Sequence, residues 1–114
     1  ACTILFNNEP VRSCLMLAPQ IDNGEITTIE GISENSSYND LREAFKKYHA
    51  LQCGYCTPGF ITTIVYLLEK EQFLKEEEIR EKLSGNICRC TGYTGIVKAV
   101  EEVFLNRFKK SKND

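Results

Sequence analysis

Four cysteines in the second half of the chain have the types and spacing for metal chemistry: Cys53 and Cys56 form a C-x2-C pair, Cys88 and Cys90 a C-x-C pair, with 31 residues between the pairs. The surrounding words are Gln52-Cys53-Gly54-Tyr55-Cys56-Thr57-Pro58-Gly59 and Gly85-Asn86-Ile87-Cys88-Arg89-Cys90-Thr91-Gly92-Tyr93. Four thiolates held together bind a soft or borderline metal ion or an iron–sulfur core. The single histidine, His49, rules out a Rieske centre, which needs two. An all-thiolate site remains, either iron–sulfur or structural zinc. Zinc more often uses two C-x2-C knuckles, so the C-x-C pair favours iron–sulfur without closing the question. Disulfides fit less well, because a C-x-C pair does not close on itself at normal geometry. Thiols kept reduced point to a reducing compartment, the cytoplasm.

The elements that must hold these pairs are a β segment followed by helices. Thr3 to Phe6 reads as a strand, Asn7-Asn8-Glu9-Pro10 as a turn, and Val11 to Leu17 as the returning strand. Glu25 to Ile29 alternates in β fashion, and the small polar stretch from Gly31 to Ser37 reads as a linker. After Asn39 the period becomes helical, with Leu41, Phe45 and Tyr48 on one face. Thr57-Pro58 predicts an N-cap and first-turn proline of a helix carrying Ile61, Ile64, Val65 and Leu68. Glu76-Glu77-Glu78 opens a third helix with Ile79 and Leu83, stopped by Gly85. Thr94 is the expected cap of a last helix with Ile96, Val100, Val103, Phe104 and Phe108. Both cysteine pairs then lie at helix ends, where the positive end of a helix dipole stabilises thiolate, and glycines at 54, 85, 92 and 95 let the loops fold tightly.

Composition narrows the function. With 114 residues the chain has room for one or two small domains, and 42% hydrophobic with 26% charged residues is ordinary for a globular protein. A net charge of −2 argues against nucleic acid as a partner. The basic run from Lys109 to Lys112 reads as a solvated tail, and the apolar stretch from Phe60 to Leu68 is too short to span a bilayer. No nucleophile–base pair, phosphate loop or pair of catalytic acids is present, so no residue of this chain is expected to be catalytic.

The words QCGYCTPG and GNICRCTGY, in that order and about 30 residues apart, resemble the iron–sulfur subunit of the xanthine oxidase, aldehyde oxidoreductase and aerobic carbon monoxide dehydrogenase family of molybdenum hydroxylases. The resemblance covers nearly the whole chain. It implies an α+β chain: residues 1–35 as the end of a plant-type ferredoxin-like 2Fe–2S domain, and residues 36–114 as a four-helix 2Fe–2S domain. It further implies Cys53, Cys56, Cys88 and Cys90 as ligands of the helical-domain cluster, with Gln52 and Cys90 in contact with a molybdopterin. The expected partners are a molybdopterin-binding large subunit and an FAD-binding medium subunit in a hetero-oligomer. The implied function is electron transfer from the molybdopterin centre through 2Fe–2S clusters toward FAD. The alternative from the residues alone is a zinc-stabilised four-cysteine binding module without a redox role.

At the N-terminus, Ala1-Cys2-Thr3 matches the close of the family's C-G-A-C-T word, and Ser13-Cys14-Leu15 matches the segment bearing the fourth ferredoxin ligand. Cys2 and Cys14 are thus expected to be two of four ligands of a second, incomplete cluster, and the sequence reads as a fragment starting in mid-motif. Tyr55 and Tyr93 are expected to shield the helical-domain cluster, Arg89 to tune it or face a partner, and His49 to be structural.

Overall fold

Asn7 and Asn8 both adopt left-handed backbone, with φ of 51° and 68°. Two consecutive positive φ values make a two-residue turn whose twist matches the strands it joins. The computed structural model of the chain, which describes residues 2–71, 73–88 and 93–109, therefore has a tight hairpin here. β1 (Thr3–Phe6) pairs with β2 (Glu9–Arg12), Phe6 opposite Glu9 and Leu5 opposite Pro10. The turn is two residues shorter than the sequence pattern implied, and the return strand ends at Arg12, where Ser13–Leu15 turns into a 3-10 helix. Pro10 is tolerated inside β2 because β2 is an edge strand in the order β2-β1-β3. The pair that closes the turn exchanges hydrogen bonds, so the next pair, Leu5 with Pro10, requires no N–H from proline.

β3 is only Ile26–Thr27, antiparallel to the end of β1. The strand expected through Ile29 stops early because Ile29 opens α1 (Ile29–Ser33), which puts Ile32 into the core. The expected linker from Gly31 to Ser37 is accordingly ordered structure: the end of α1 and most of a 3-10 turn over Ser36–Tyr38 that runs directly into α2 (Asn39–Lys47).

α2 buries Leu41, Ala44 and Phe45. It ends with His49 in left-handed backbone (φ 51°), while Ala50 N–H bonds Phe45 O at 2.9 Å and His49 N–H bonds Lys46 O at 3.3 Å. This is a Schellman closure, and it makes the exposed His49 a chain-reversing residue. α3 (Thr57–Glu69) is buried on most sides. A helix apolar nearly all round must be central, and α3 packs against β1, β2 and α1. α4 (Glu76–Lys82) carries three glutamates in its first turn, and Glu78 Oε1 accepts the Lys75 N–H at 3.1 Å. α5 (Thr94–Phe104) packs against α2 and α4 and continues as a π-helical turn over Leu105–Lys109. Leu41, Phe60, Ile64, Ile79, Ile96, Val100 and Phe104 are at most 1% exposed, so the core is shared by α2, α3, α4 and α5. Among the described residues no helix is long and apolar enough to cross a membrane.

Candidate metal centre

The loop from Leu51 to Cys56 joins the Schellman turn to the start of α3. Gly54 takes φ +82°, a conformation that L side chains rarely adopt, and this lets the C-x2-C segment curl. The Tyr55 N–H approaches Cys53 Sγ at 3.5 Å. The sequence pattern placed Thr57 at the N-cap; in the structure Cys56 occupies that position and Thr57 is the first helical residue. Thr57 Oγ1 is buried and has no hydrogen-bond partner among the described residues, which leaves a hydroxyl donor next to Cys56 unclaimed. α5 shows the same one-residue shift: Tyr93, in left-handed backbone with φ 74°, caps it ahead of Thr94.

Contacts on either side of residues 89–92 fix the described residues that flank the C-x-C segment. Gly95 lies so close to the end of α2 that a Cβ there would stand 2.7 Å from Tyr48 O and 3.4 Å from Ala50 Cα. Only glycine permits that approach, and it seats the start of α5 against the end of α2, just ahead of the Leu51–Cys56 loop. Tyr93 then reaches back, its hydroxyl accepting the Cys88 N–H at 2.9 Å, and its ring meets Phe60 edge to face at 6.2 Å.

Cys53, Cys56 and Cys88 are consequently neighbours. Cys88 is buried, Cys56 half-buried and Cys53 exposed. Burial, then a hydrogen bond with Cys88, then the charges of Cys88 and Cys53 push the Cys56 thiol up to about 11. The helix start alone was expected to favour thiolate; desolvation and crowding by like groups outweigh it. A cation among the sulfurs reverses that balance, because metal binding takes the thiolates and releases their protons. Cys90 and Arg89 lie outside the described residues. Among the described residues no three His, Cys, Asp or Glu side chains converge as a site for one metal ion. A two-iron core does not ask them to, since four cysteines are shared between two irons. The all-sulfur chemistry of the three described cysteines, with Cys88 buried and Cys53 exposed, fits such a core.

Gln52 is exposed at the rim. Of the two tyrosines expected to shield the site, Tyr93 is half-buried and Tyr55 is 78% exposed. Ile87, beside Cys88, is 81% exposed. In the hairpin, Cys2 Sγ and Cys14 Sγ lie 3.2 Å apart. Their mutual hydrogen bond lowers the Cys2 thiol and raises that of Cys14.

Reading the residues by motif missed Asn86, Thr63, Thr3 and Arg12, which are joined by hydrogen bonds. Arg12 Nη1 donates to Thr3 Oγ1 (2.9 Å), Thr3 Oγ1 to Asn86 Oδ1 (3.5 Å), Asn86 Nδ2 to Thr63 Oγ1 (3.0 Å), and Thr63 Oγ1 to Gly59 O (3.0 Å). Asn86 and Thr3 lie inside cysteine words, but nothing in the sequence pairs these four positions; they meet only in three dimensions.

Comparison with known proteins places this geometry. The family described as the 2Fe-2S binding domain matches residues 28–101. The chain is 53% identical over 100 residues to the nicotine 6-hydroxylase small subunit of Paenarthrobacter nicotinovorans, covering 88% of this chain and 60% of that protein. It is 47% identical over 106 residues to the caffeine dehydrogenase subunit gamma of a Pseudomonas species, covering 90% and 64% respectively. The crystal structure of quinoline 2-oxidoreductase from Pseudomonas putida 86 superposes with a TM-score of 0.82 at 43% identity, over 91% of this chain and 64% of that one. The chain thus spans about three fifths of the length of these curated relatives. With Cys53 and Cys88 both beside Cys56 at the start of α3 and the family match running from the N-cap of α1 almost to the end of α5, the chain belongs to the 2Fe-2S binding domain family.

Proposed function

We propose that this chain is the electron-transfer iron–sulfur subunit of a multisubunit molybdenum hydroxylase of the cytoplasm. One observation carries the reading: Cys56, at the start of α3, has beside it both Cys53 of its own loop and Cys88 of a segment far away in sequence. With Cys90 they would hold a 2Fe–2S cluster, which when bound supplies a one-electron carrier. Phe60 and Tyr93 pack edge to face next to the cysteine segments, Gly54 supplies the left-handed turn between Cys53 and Cys56, and Gly95 lets α5 approach the end of α2. Gln52, Tyr55 and Ile87 are open to solvent, as a face awaiting a partner should be. A molybdopterin-binding large subunit would dock there, with Gln52 and Cys90 toward the pterin, and an FAD-binding subunit would take the electrons onward. The names of the relatives, small or gamma subunits of hydroxylases and dehydrogenases, support this assembly.

In the same reading α2–α5 form the four-helix cluster unit of residues 36–114, and the hairpin belongs to a ferredoxin-like unit ending near residue 35. The 3.2 Å approach of Cys2 and Cys14 supports their role as two ligands of a second 2Fe–2S cluster. The six cysteines of these 114 residues leave two thiolates of that cluster to come from elsewhere.

Anaerobic reconstitution of the chain with iron and sulfide tests the proposal. The expected product is reddish-brown, with two irons and two acid-labile sulfides lost together in Cys88→Ser and in Cys53→Ser. A colourless protein that takes one zinc and no sulfide overturns it in favour of a zinc-stabilised four-cysteine module.

A further inference from the structure

The hydrogen bonds around Asn86 form a directed chain with fixed ends. Arginine is a donor only and a carbonyl an acceptor only, so the order Arg12, Thr3, Asn86, Thr63, Gly59 has one proton arrangement that satisfies every member. Thr3, Asn86 and Thr63 are buried, at 4%, 8% and 6% exposure, where an unmatched polar group is costly and a fully matched one specifies a single arrangement. Arg12 adds a second tie by donating Nη2 to Gly85 O. The members sit next to the thiols: Thr3 follows Cys2, Arg12 is two residues before Cys14, Gly59 is three after Cys56, and Asn86 is two before Cys88.

We propose that Asn86 is a positioning residue for the cysteine site, fixing the loop that carries Cys88 to α3 through Thr63 and to the Cys2–Cys14 hairpin through Thr3. Ile87, between Asn86 and Cys88, is exposed and packs into no core, and the Cys88 N–H to Tyr93 bond joins the loop to its own far end. The Asn86 side chain carries the hold from the end of α4 across to the middle of α3. The two thiol sites are then mechanically one unit. The inference deepens the iron–sulfur reading and rests on it for its purpose, but its test does not need iron.

The test is iodoacetamide labelling of the full chain, reduced and iron-free, with Cys88 and Cys53 quantified separately by peptide mass spectrometry. Asn86→Ala and Thr63→Val remove the same hydrogen bond from its two ends. Thr62→Val is the control: Thr62 is fully buried on the same helix, and its hydroxyl bonds Pro58 O within α3. Cys88 labelling is expected to rise about tenfold in Asn86→Ala and Thr63→Val, in line with one or two net hydrogen bonds lost. It should not change in Thr62→Val, and the exposed Cys53 should label alike in all. If Asn86→Ala unfolds, seen by circular dichroism, the comparison of Thr63→Val with Thr62→Val decides alone. Equal Cys88 rates in those two overturn the positioning role. Failure of the unaltered chain to assemble iron and sulfide sinks the iron–sulfur reading and leaves the labelling result standing.

Discussion

Tyr93 and Cys88 are bound to one another directly, the phenolic oxygen accepting the cysteine amide N–H at 2.9 Å. Tyr93 holds an unusual left-handed backbone (φ 74°) at the entry to α5, and its ring is fixed against Phe60. One side chain thus ties the buried thiol's backbone to the core helix α3.

Tyr93→Phe keeps the ring contact and removes only the acceptor. We expect a loss of about 1 kcal/mol, or about 4 °C in Tm for a chain of this size, with iron uptake on reconstitution unchanged. Thermal denaturation beside an iron assay checks both halves. A variant as stable as the parent means the amide finds water instead.

Gly95→Ala should be more damaging than its size implies. The added methyl meets Tyr48 O at 2.7 Å, a backbone atom that cannot swing aside, so α5 must move away from the α2–α3 connection. Overpacking of this kind costs about 1–3 kcal/mol, and the displacement separates the two cysteine loops. Lower iron retention against a chelator, together with a lower urea midpoint, is the expected result. Unchanged iron retention at reduced stability would show that the loops keep together by other means.

Gln52→Ala changes an exposed residue at the rim of the site. Stability and iron content should stay at the parent values, while affinity for the pterin-bearing subunit weakens by about 0.5–1.5 kcal/mol, one net hydrogen bond. Co-purification or titration with that subunit reads the difference. Iron loss with unchanged subunit affinity would contradict the assigned contact.

The turn after α5 is latched to α2 by a charge pair. Arg107 Nε and Nη2 donate to Asp40 Oδ2 and Oδ1, both at 2.7 Å, and the guanidinium lies 5.7 Å from the Tyr38 ring. The hydrogen bonds from Arg107 hold the Asp40 carboxyl below its ordinary range. A carboxyl whose folded value lies below its unfolded value of about 3.9 stabilises the fold above that pH, and the contribution fades as pH falls through the lower value. Asp40→Asn should cost about 0.5–1 kcal/mol at pH 7, a modest figure because the pair is partly exposed. Urea titrations at pH 7 and at about pH 3 check the sign: the gap between Asp40→Asn and the parent should narrow in acid. A gap that widens there refutes the assignment.

Sequence alone marked out the candidate thiols and most of the helices. Thiols at C-x2-C and C-x-C spacing admit few occupants, and the apolar repeats in α2, α3, α4 and α5 survive in any fold that buries them, because helical period is a local property. The ends of elements were less legible. Thr57 and Thr94 carry the residue type of an N-cap, yet Cys56 and Tyr93 hold that position, since the loop geometry at the thiols and the tie from Tyr93 to Cys88 outrank local capping preference. The short α1 was hidden in a segment whose small polar residues imitate a linker; only the burial of Ile32 against the core makes it a helix. The hairpin turn shrank because two asparagines accept left-handed backbone and β2 could take Pro10 at a sheet edge. What tertiary structure alone decided is the set of hydrogen bonds around Asn86. Asn86 meets Thr3 and Thr63 across separations of 83 and 23 residues, and a hydrogen bond between residues so distant leaves no period or motif in the chain, because it exists only once the helices have packed.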